Sequence, residues 1–326
     1  MIVSRTPYRV SFGGGGSDLP AFYRQESGAV VACAIHRFLH VAATPWPEGG
    51  VQLHHEEVET VASAQDLVHP IVGESLRSTG VERGIRLYTT GQVLPGTGLG
   101  SSSALAVGMA ALLAAWNREC VDAAELARRA CVTEIDRLGG SLGKQDQTIT
   151  AHGGLCLIEF QPDETVSVSP IRISAADRSA FEERVLLFYT GRQRVADSIL
   201  TELAKLAPDR IDAIRNLRDH ALLIRDALER TDGPDFEEVG RHLHAAWMEK
   251  RALWPGSSTP EVDAWYESAR DAGALGGRLL GAGGGGYVLI LAERDRHAAI
   301  REALGHPMEL PFRIEARGVT IQDLRG

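Results

Sequence analysis

The chain has 326 residues, of which 44% are hydrophobic and 24% charged, an ordinary composition for a globular protein of one or two domains. Its net charge of −9 argues against a nucleic-acid partner, which demands a basic face. No segment approaches the roughly 18 consecutive apolar residues of a membrane span, and the first twelve residues carry a polar motif rather than the apolar run of a signal peptide, so a soluble, cytoplasmic protein without a membrane partner is expected.

Cys33, Cys120, Cys131 and Cys156 lack C-x-x-C spacing, which disfavours a disulfide framework or structural zinc. Only three lysines (Lys144, Lys205, Lys250) stand against 31 arginines. His54-His55 beside Glu56-Glu57 carries little metal signal, because adjacent strand residues point to opposite faces.

Tyr8, Val10 and Phe12 alternate with Arg9 and Ser11, predicting a strand that runs into Gly13–Gly16. Val30–Ala34 and Phe38–Ala43 read as paired strands, and Gly84–Thr90 as another. Leu105–Trp116 is apolar on every side and predicts a core helix. Asp122 suits the N-cap of a helix over Ala123–Leu138. Leu155–Phe160, Val166–Ile173 and Val185–Tyr189 are strand-like. Helical patterns follow at about 193–206, 208–230, 235–253 and 260–272. A glycine loop, a strand at Tyr287–Ala292, a helix and a last strand near Pro311–Arg317 complete the chain. Strands and helices mix without strict alternation, which favours an α+β fold.

Chemistry enters at Pro95-Gly96-Thr97-Gly98-Leu99-Gly100-Ser101-Ser102-Ser103. Three glycines allow backbone N–H groups to converge, and the serines open a helix whose unpaired donors and dipole favour an anion. The G-x-G-x-G spacing is not the Rossmann G-x-G-x-x-G, and the sole Gly-Lys pair, Gly143-Lys144, is followed by Gln145 rather than the Ser or Thr of a Walker A loop.

This segment reads P-x-x-G-L-[GS]-S-S-[AS], and on it the chain resembles the GHMP kinases, the galactokinase, homoserine, mevalonate and phosphomevalonate kinases. Two further motifs stand in the expected order: Thr6–Asp18 (TPYRVSFGGGGSD) and Gly276–Gly286 (GGRLLGAGGGG). The resemblance implies a two-domain α+β fold. Residues 1–165 would hold the ATP cradle, the sugar motif and the catalytic aspartate, and residues 166–326 the glycine loop and basic residues, with the active site in the cleft between. It also implies ATP as co-substrate, with Ser102 and Glu134 holding Mg²⁺ and Asp146 as the catalytic base. A buried acid at 146 needs a partner, and Arg9 or Lys144 can provide the charge.

The acceptor is read from departures. Where galactokinase-type motifs have Gly-Glu-His-Thr-Asp, this chain has Gly14-Gly15-Gly16-Ser17-Asp18. Two polar side chains that read sugar hydroxyls are gone, and space is opened. The combination with GKQDQ, LFYTG-x-x-R and LGGRLLGAGGGG most resembles the family members acting on D-glycero-D-manno-heptose 7-phosphate at the anomeric C1 hydroxyl. Such a substrate requires cations, for which Arg194, Lys250, Arg251 and Lys144 are candidates. Arg9, Gly14–Gly16, Ser17, Asp18, Gly283 and Gly284 are the remaining expected substrate-binding residues. A homodimer is left open.

Overall fold

The computed structural model describes residues 1–193 and 210–325. Arg194 and most of the helical pattern at 193–206 lie outside the described residues. The strands are β1 (Ile2–Gly13), β2 (Gly28–Pro45), β3 (Val51–His54), β4 (Val58–Val61), β5 (Ile85–Gly91), β6 (Leu155–Phe160), β7 (Val166–Pro170), β8 (Val185–Tyr189), β9 (Ala274–Leu279), β10 (Tyr287–Ala292) and β11 (Thr320–Asp323). An eight-stranded sheet runs β11-β1-β2-β5-β3-β4, with β6 also on β2 and β7 on β6, while β8-β10-β9 form a second sheet. Strands and helices are mixed without strict alternation, the α+β arrangement expected from the sequence. The large sheet takes β7 and β11 from beyond residue 165, so it spans both halves of the chain.

The two strands predicted at Val30–Ala34 and Phe38–Ala43 are halves of one strand. Both pair with β1, across a bulge at His36 and Arg37 that breaks the register between Pro7 and Tyr8. Nothing in Ile35-His36-Arg37 supplies the glycine or asparagine that a tight hairpin needs. The first half of β2 then pairs with β6 and the second with β5.

A second departure is at the end of the chain. No strand forms over Pro311–Arg317 beyond an isolated bridge between Ile35 and Ile314. The Ile314 N–H donates to Glu182 Oε1 at 3.0 Å, and its carbonyl accepts from Arg178 Nη2 at 2.5 Å. Side chains thus satisfy the outer edge at Ile314, while the Arg313 carbonyl and the Glu315 N–H pair with the His36 N–H and the Ala34 carbonyl of β2. The last strand is β11, on the edge of β1. Gly276–Leu279, expected in a glycine loop, belongs to β9, and the turn proper is Leu280–Gly286.

The helices that position the site are α1 (Pro20–Tyr23), α2 (Pro70–Ser78), α3 (Ser101–Trp116), α4 (Ala123–Cys131) and α5 (Gln145–His152). Helix α3 is buried almost throughout, as an all-apolar helix should be. It approaches β1 at Gly108, where a Cβ would stand 2.8 Å from Thr6 Oγ1. Asp122 caps α4 by accepting from the Glu125 N–H at 2.8 Å. The helix predicted to run on to Leu138 instead becomes a π-helix over Val132–Arg137, a widened turn often found at functional sites. After α6 (Ala175–Arg184) come α7 (Ile211–Leu228), α8 (Phe236–Leu253), α9 (Pro260–Asp271) and α10 (His297–Ala303). No helix among the described residues is long and apolar enough to cross a membrane.

The cradle and the C-terminal glycine turn meet backbone to backbone. At Gly98, with φ +84°, an added Cβ would lie 2.6 Å from the Leu280 carbonyl oxygen. Gly139, with φ +67°, has nothing within 4 Å. Alanine at 139 should therefore cost only the left-handed backbone, about 1–2 kcal/mol, whereas Gly98→Ala should cost clearly more. Thermal unfolding of the two variants measures the difference, and equal losses would mean that the cradle and the turn are not in contact.

Candidate active site

Arg9, on β1, is the centre of the site. It is buried, and its Nε and Nη2 donate to the two carboxylate oxygens of Asp146 at 2.6 and 2.5 Å. Its Nη1 donates to the Gly98 carbonyl at 2.5 Å, and its backbone N–H to Leu99 O at 3.1 Å. Such a fork fixes both the distance and the plane of the carboxylate. Of the two cations the sequence offered to Asp146, Arg9 is the one in contact. Lys144 donates instead to Glu164 at 2.5 Å and lies over the Tyr23 ring at 4.7 Å.

The cradle carries its own geometry. Gly96, Gly98 and Gly100 all have positive φ, and Gly100 precedes the first turn of α3. The first intrahelical bond runs from the Ala104 N–H to Gly100 O at 2.9 Å, so the N–H groups of Ser101–Ser103 lie ahead of the helical ladder as anion donors. Thr97 holds the loop from behind: its carbonyl accepts from the Tyr287 N–H at 3.0 Å, and its hydroxyl donates to Leu94 O at 2.7 Å. Pro95 is exposed, Leu99 and Ser103 are buried, and Ser101 Oγ is buried with no partner.

Two further carboxyl groups are buried. Asp18 accepts from the N–H groups of Gly16 at 2.9 Å and Gln145 at 3.3 Å. Burial pushes its carboxyl above the usual range, and the neighbouring Asp146 adds to the rise. Gly143 makes room for it, since a Cβ there would lie 1.9 Å from Asp18 Oδ2. Glu134 projects from the π-helix and accepts from Gln147 Nε2 at 2.7 Å. Burial pushes its carboxyl up to about 7, against hydrogen bonds from Ser103, Gln147 and Ser102. Glu134 and Ser102 are what the site offers a divalent cation: one carboxylate and one hydroxyl, the small oxygen set that Mg²⁺ accepts when nucleotide phosphates supply other ligands. No group of three or more His, Cys, Asp or Glu suited to a metal occurs among the described residues.

Between Ser103 and Asp146 opens a cleft lined also by Arg9, Ser11, Gly15, Gly16, Asp18, Gln145, Lys250, Trp254 and Arg278. Four of its buried polar atoms have no hydrogen-bond partner among the described residues: Ser11 Oγ, Gln145 Oε1, Trp254 Nε1 and Arg278 Nε. A cleft walled by unsatisfied donors and acceptors suits a polar, hydroxyl-bearing ligand. Lys250 is buried against it and donates to Gly281 O at 2.7 Å.

Other expected contacts lie elsewhere. Arg251 pairs with Asp263 at 2.9 Å and Glu267 at 3.7 Å, away from the cleft. Ser17 spends its hydroxyl on the Gly14 and Ala29 carbonyls, and builds the loop rather than its lining. Gly283 and Gly284 pack on the Ser257 backbone. Sequence reasoning left Arg278, Gln145, Ser11 and Trp254 unassigned. Ser11, Gln145 and Arg278 stand inside the motifs TPYRVSFGGGGSD, GKQDQ and GGRLLGAGGGG respectively, and that was the available signal.

Anion donors at one end of a cleft and an arginine-held aspartate at the other are the parts of a phosphoryl-transfer enzyme. Residues 60–154 match the GHMP kinases N terminal domain and residues 224–310 the GHMP kinases C terminal domain. The chain belongs to the GHMP kinases, and it is a kinase that uses ATP. Over 329 residues it is 26% identical to a D-glycero-alpha-D-manno-heptose 7-phosphate kinase of Campylobacter jejuni, covering 95% of this chain and 96% of that protein. It is also 26% identical to a bifunctional fucokinase/GDP-fucose pyrophosphorylase of Arabidopsis thaliana, covering 94% of this chain but only 31% of that longer protein. The crystal structure of a D-glycero-D-manno-heptose 1-phosphate kinase from Bacteroides thetaiotaomicron superposes with a TM-score of 0.82 over 100% of both chains at 21% identity.

The Lys144–Glu164 contact makes a pH prediction. Burial tends to raise the Glu164 carboxyl, but hydrogen bonds from Lys144, Arg24 and Tyr23 outweigh it and hold it at about 2, below its ordinary 4.5. A depressed acid contributes stability above its unfolded pKa and loses it as pH falls through the folded one. Glu164→Gln should lower stability at pH 6 by about 1 kcal/mol or less, because the pair is part exposed. The difference should close as pH approaches 2, and thermal melts of both proteins across that window read it.

Proposed function

We propose that the chain transfers the γ-phosphoryl group of ATP to the anomeric C1 hydroxyl of a heptose 7-phosphate, D-glycero-D-manno-heptose 7-phosphate or a stereoisomer, giving the 1,7-bisphosphate and ADP. The observation that carries this reading is the cleft, where the cradle and Asp146 face a wall with two further buried cations, Lys250 and Arg278. An acceptor that already bears phosphate has use for both ends. Two similar proteins are named for phosphorylated heptoses, which supports the same class of acceptor.

The geometry supports the following division of labour. The N–H groups opening α3 bind nucleotide phosphates. Asp146 faces the cleft and takes or orients the proton of the attacking hydroxyl, a role worth on the order of 10²- to 10⁴-fold in rate. Arg9 holds that carboxylate in one plane. Asp18 and Ser11 are placed to meet hydroxyls of the sugar. Glu134 and Ser102 would hold Mg²⁺, which when bound neutralises charge on the transferring phosphoryl group.

A second reading, an anomeric kinase of a free sugar, is favoured by the similarity to the fucokinase-bearing protein. ADP release measured with paired free and phosphorylated sugars separates the two. Activity on free hexoses and none on heptose 7-phosphate would sink the first reading. In the same assay Asp146→Asn should lose on the order of 10²-fold or more in kcat while still binding ATP, as followed by nucleotide titration. An unaltered rate removes Asp146 from the mechanism.

A further inference from the structure

The four glycines of the first motif are not equivalent. Gly13 closes β1 against Ala221 and Ile224. Gly14 has φ +88°, and a Cβ there would fall 1.9 Å from the Ala29 carbonyl oxygen. Gly16 has φ +104° and lies under the Trp254 ring, 3.1 Å from a would-be Cβ. Neither position admits a side chain. Gly15 differs in both respects: its φ is outside the left-handed region, and the nearest atoms to an added Cβ are Gln145 Nε2 at 3.6 Å and Arg278 Nη2 at 3.9 Å. That is ordinary contact distance, so neither backbone nor packing demands glycine at 15.

What a side chain at 15 would meet is a cation lacking a counter-ion. Arg278 is 6% exposed. Among the described residues its Nε has no hydrogen-bond partner, and its Nη1 reaches only Phe12 O, at 3.5 Å. No carboxylate pairs with it among the described residues, whereas Arg9 beside it is met by Asp146. Burial, and then the charge of Arg9, push the Arg278 guanidinium down to about 10. An unpaired buried guanidinium is costly, and its planar fork matches a phosphate.

We propose that Arg278 anchors the phosphate ester of the acceptor, and that the missing side chain at Gly15 keeps this guanidinium available, so that residue 15 determines preference for phosphorylated over free sugars. A glutamate at 15 would supply the counter-ion from the protein and exclude the ligand's. The inference rests on the sugar-phosphate kinase reading and adds a specificity residue to it.

The test compares kcat/KM for a heptose 7-phosphate and for the free sugar in wild type, Gly15→Glu, Gly15→Ala and Arg278→Gln, together with KM for ATP. Gly15→Glu and Arg278→Gln should each lower the phosphorylated-to-free ratio by about 30-fold or more, the effect of losing one buried charge contact. Gly15→Ala should leave the ratio in place, and KM for ATP should stay within about twofold, a narrower change than any lost charge contact makes. Inorganic phosphate should inhibit wild type in competition with the sugar phosphate and not with ATP, a readout that needs no variant to fold. Equal losses on both acceptors, or competition of phosphate with ATP, overturn the inference, the latter by placing Arg278 on the nucleotide. If wild type turns over no sugar phosphate at all, the substrate reading fails. If it does and Gly15→Glu leaves the ratio unchanged, only the present inference fails.

Discussion

One side chain sets the dimensions of the site. The Arg9 guanidinium holds Asp146 along one edge and the Gly98 carbonyl on the remaining nitrogen, while its own backbone N–H is bound to Leu99 O. Strand β1, the cradle and the start of α5 are thereby tied at a single point. The cradle even rests on the arginine's stem: a Cβ at Gly100 would stand 3.0 Å from Arg9 Cγ. A buried ion pair of this kind is weak evidence for stability, since desolvating both charges offsets much of their attraction. Its value is geometric. It holds the carboxylate in a fixed plane beside the cradle. Lysine could supply the charge but not the two-point plane.

Around that pair the cleft keeps an uneven account of charge. Asp18 and Glu134 are buried carboxyls whose surroundings resist ionisation, and each is hydrogen-bonded to the elements it joins. Asp18 binds the glycine-rich loop to the N-terminus of α5 through Gly16 and Gln145. Glu134 binds the π-turn to α5 through Gln147. The acids therefore double as struts. Among the cations, Arg9 is answered by Asp146, Lys144 by Glu164 and Arg251 by Asp263. Those pairings are set by tertiary neighbours, and residue type alone could not have shown them.

This explains how far the sequence could be read. Helix α3 and its cradle were legible, because an apolar stretch without a polar face has only one place to go and the glycine spacing was specific. The Arg9–Asp146 pair was legible as one of two options. What escaped was whatever depends on distant neighbours. The single long β2 looked like two strands, since a bulge at His36-Arg37 has no local signature. The strand expected near Pro311–Arg317 shrinks to a single bridge on β2, and its outer edge at Ile314 is taken by Arg178 and Glu182, more than a hundred residues earlier. The π-turn that aims Glu134 inward interrupts a normal helical pattern. Arg251 and Lys250 are adjacent in sequence, yet a helix turns adjacent residues to different faces, and only Lys250 reaches the cleft.

The two glycine-rich motifs far apart in the chain form one wall. Gly98 and Gly281 touch through their backbones, Gly286 lies against Thr97, and the Tyr287 N–H donates to the Thr97 carbonyl. Lys250 then binds Gly281 O from the cleft side. That wall is thus a double layer of backbone where Gly98 and Gly281 meet. Such thinness is what glycine at 98 and 281 provides, and a methyl group at either would separate the layers. It follows that the two segments are coupled mechanically: neither can move toward the other, because their backbones are already in contact.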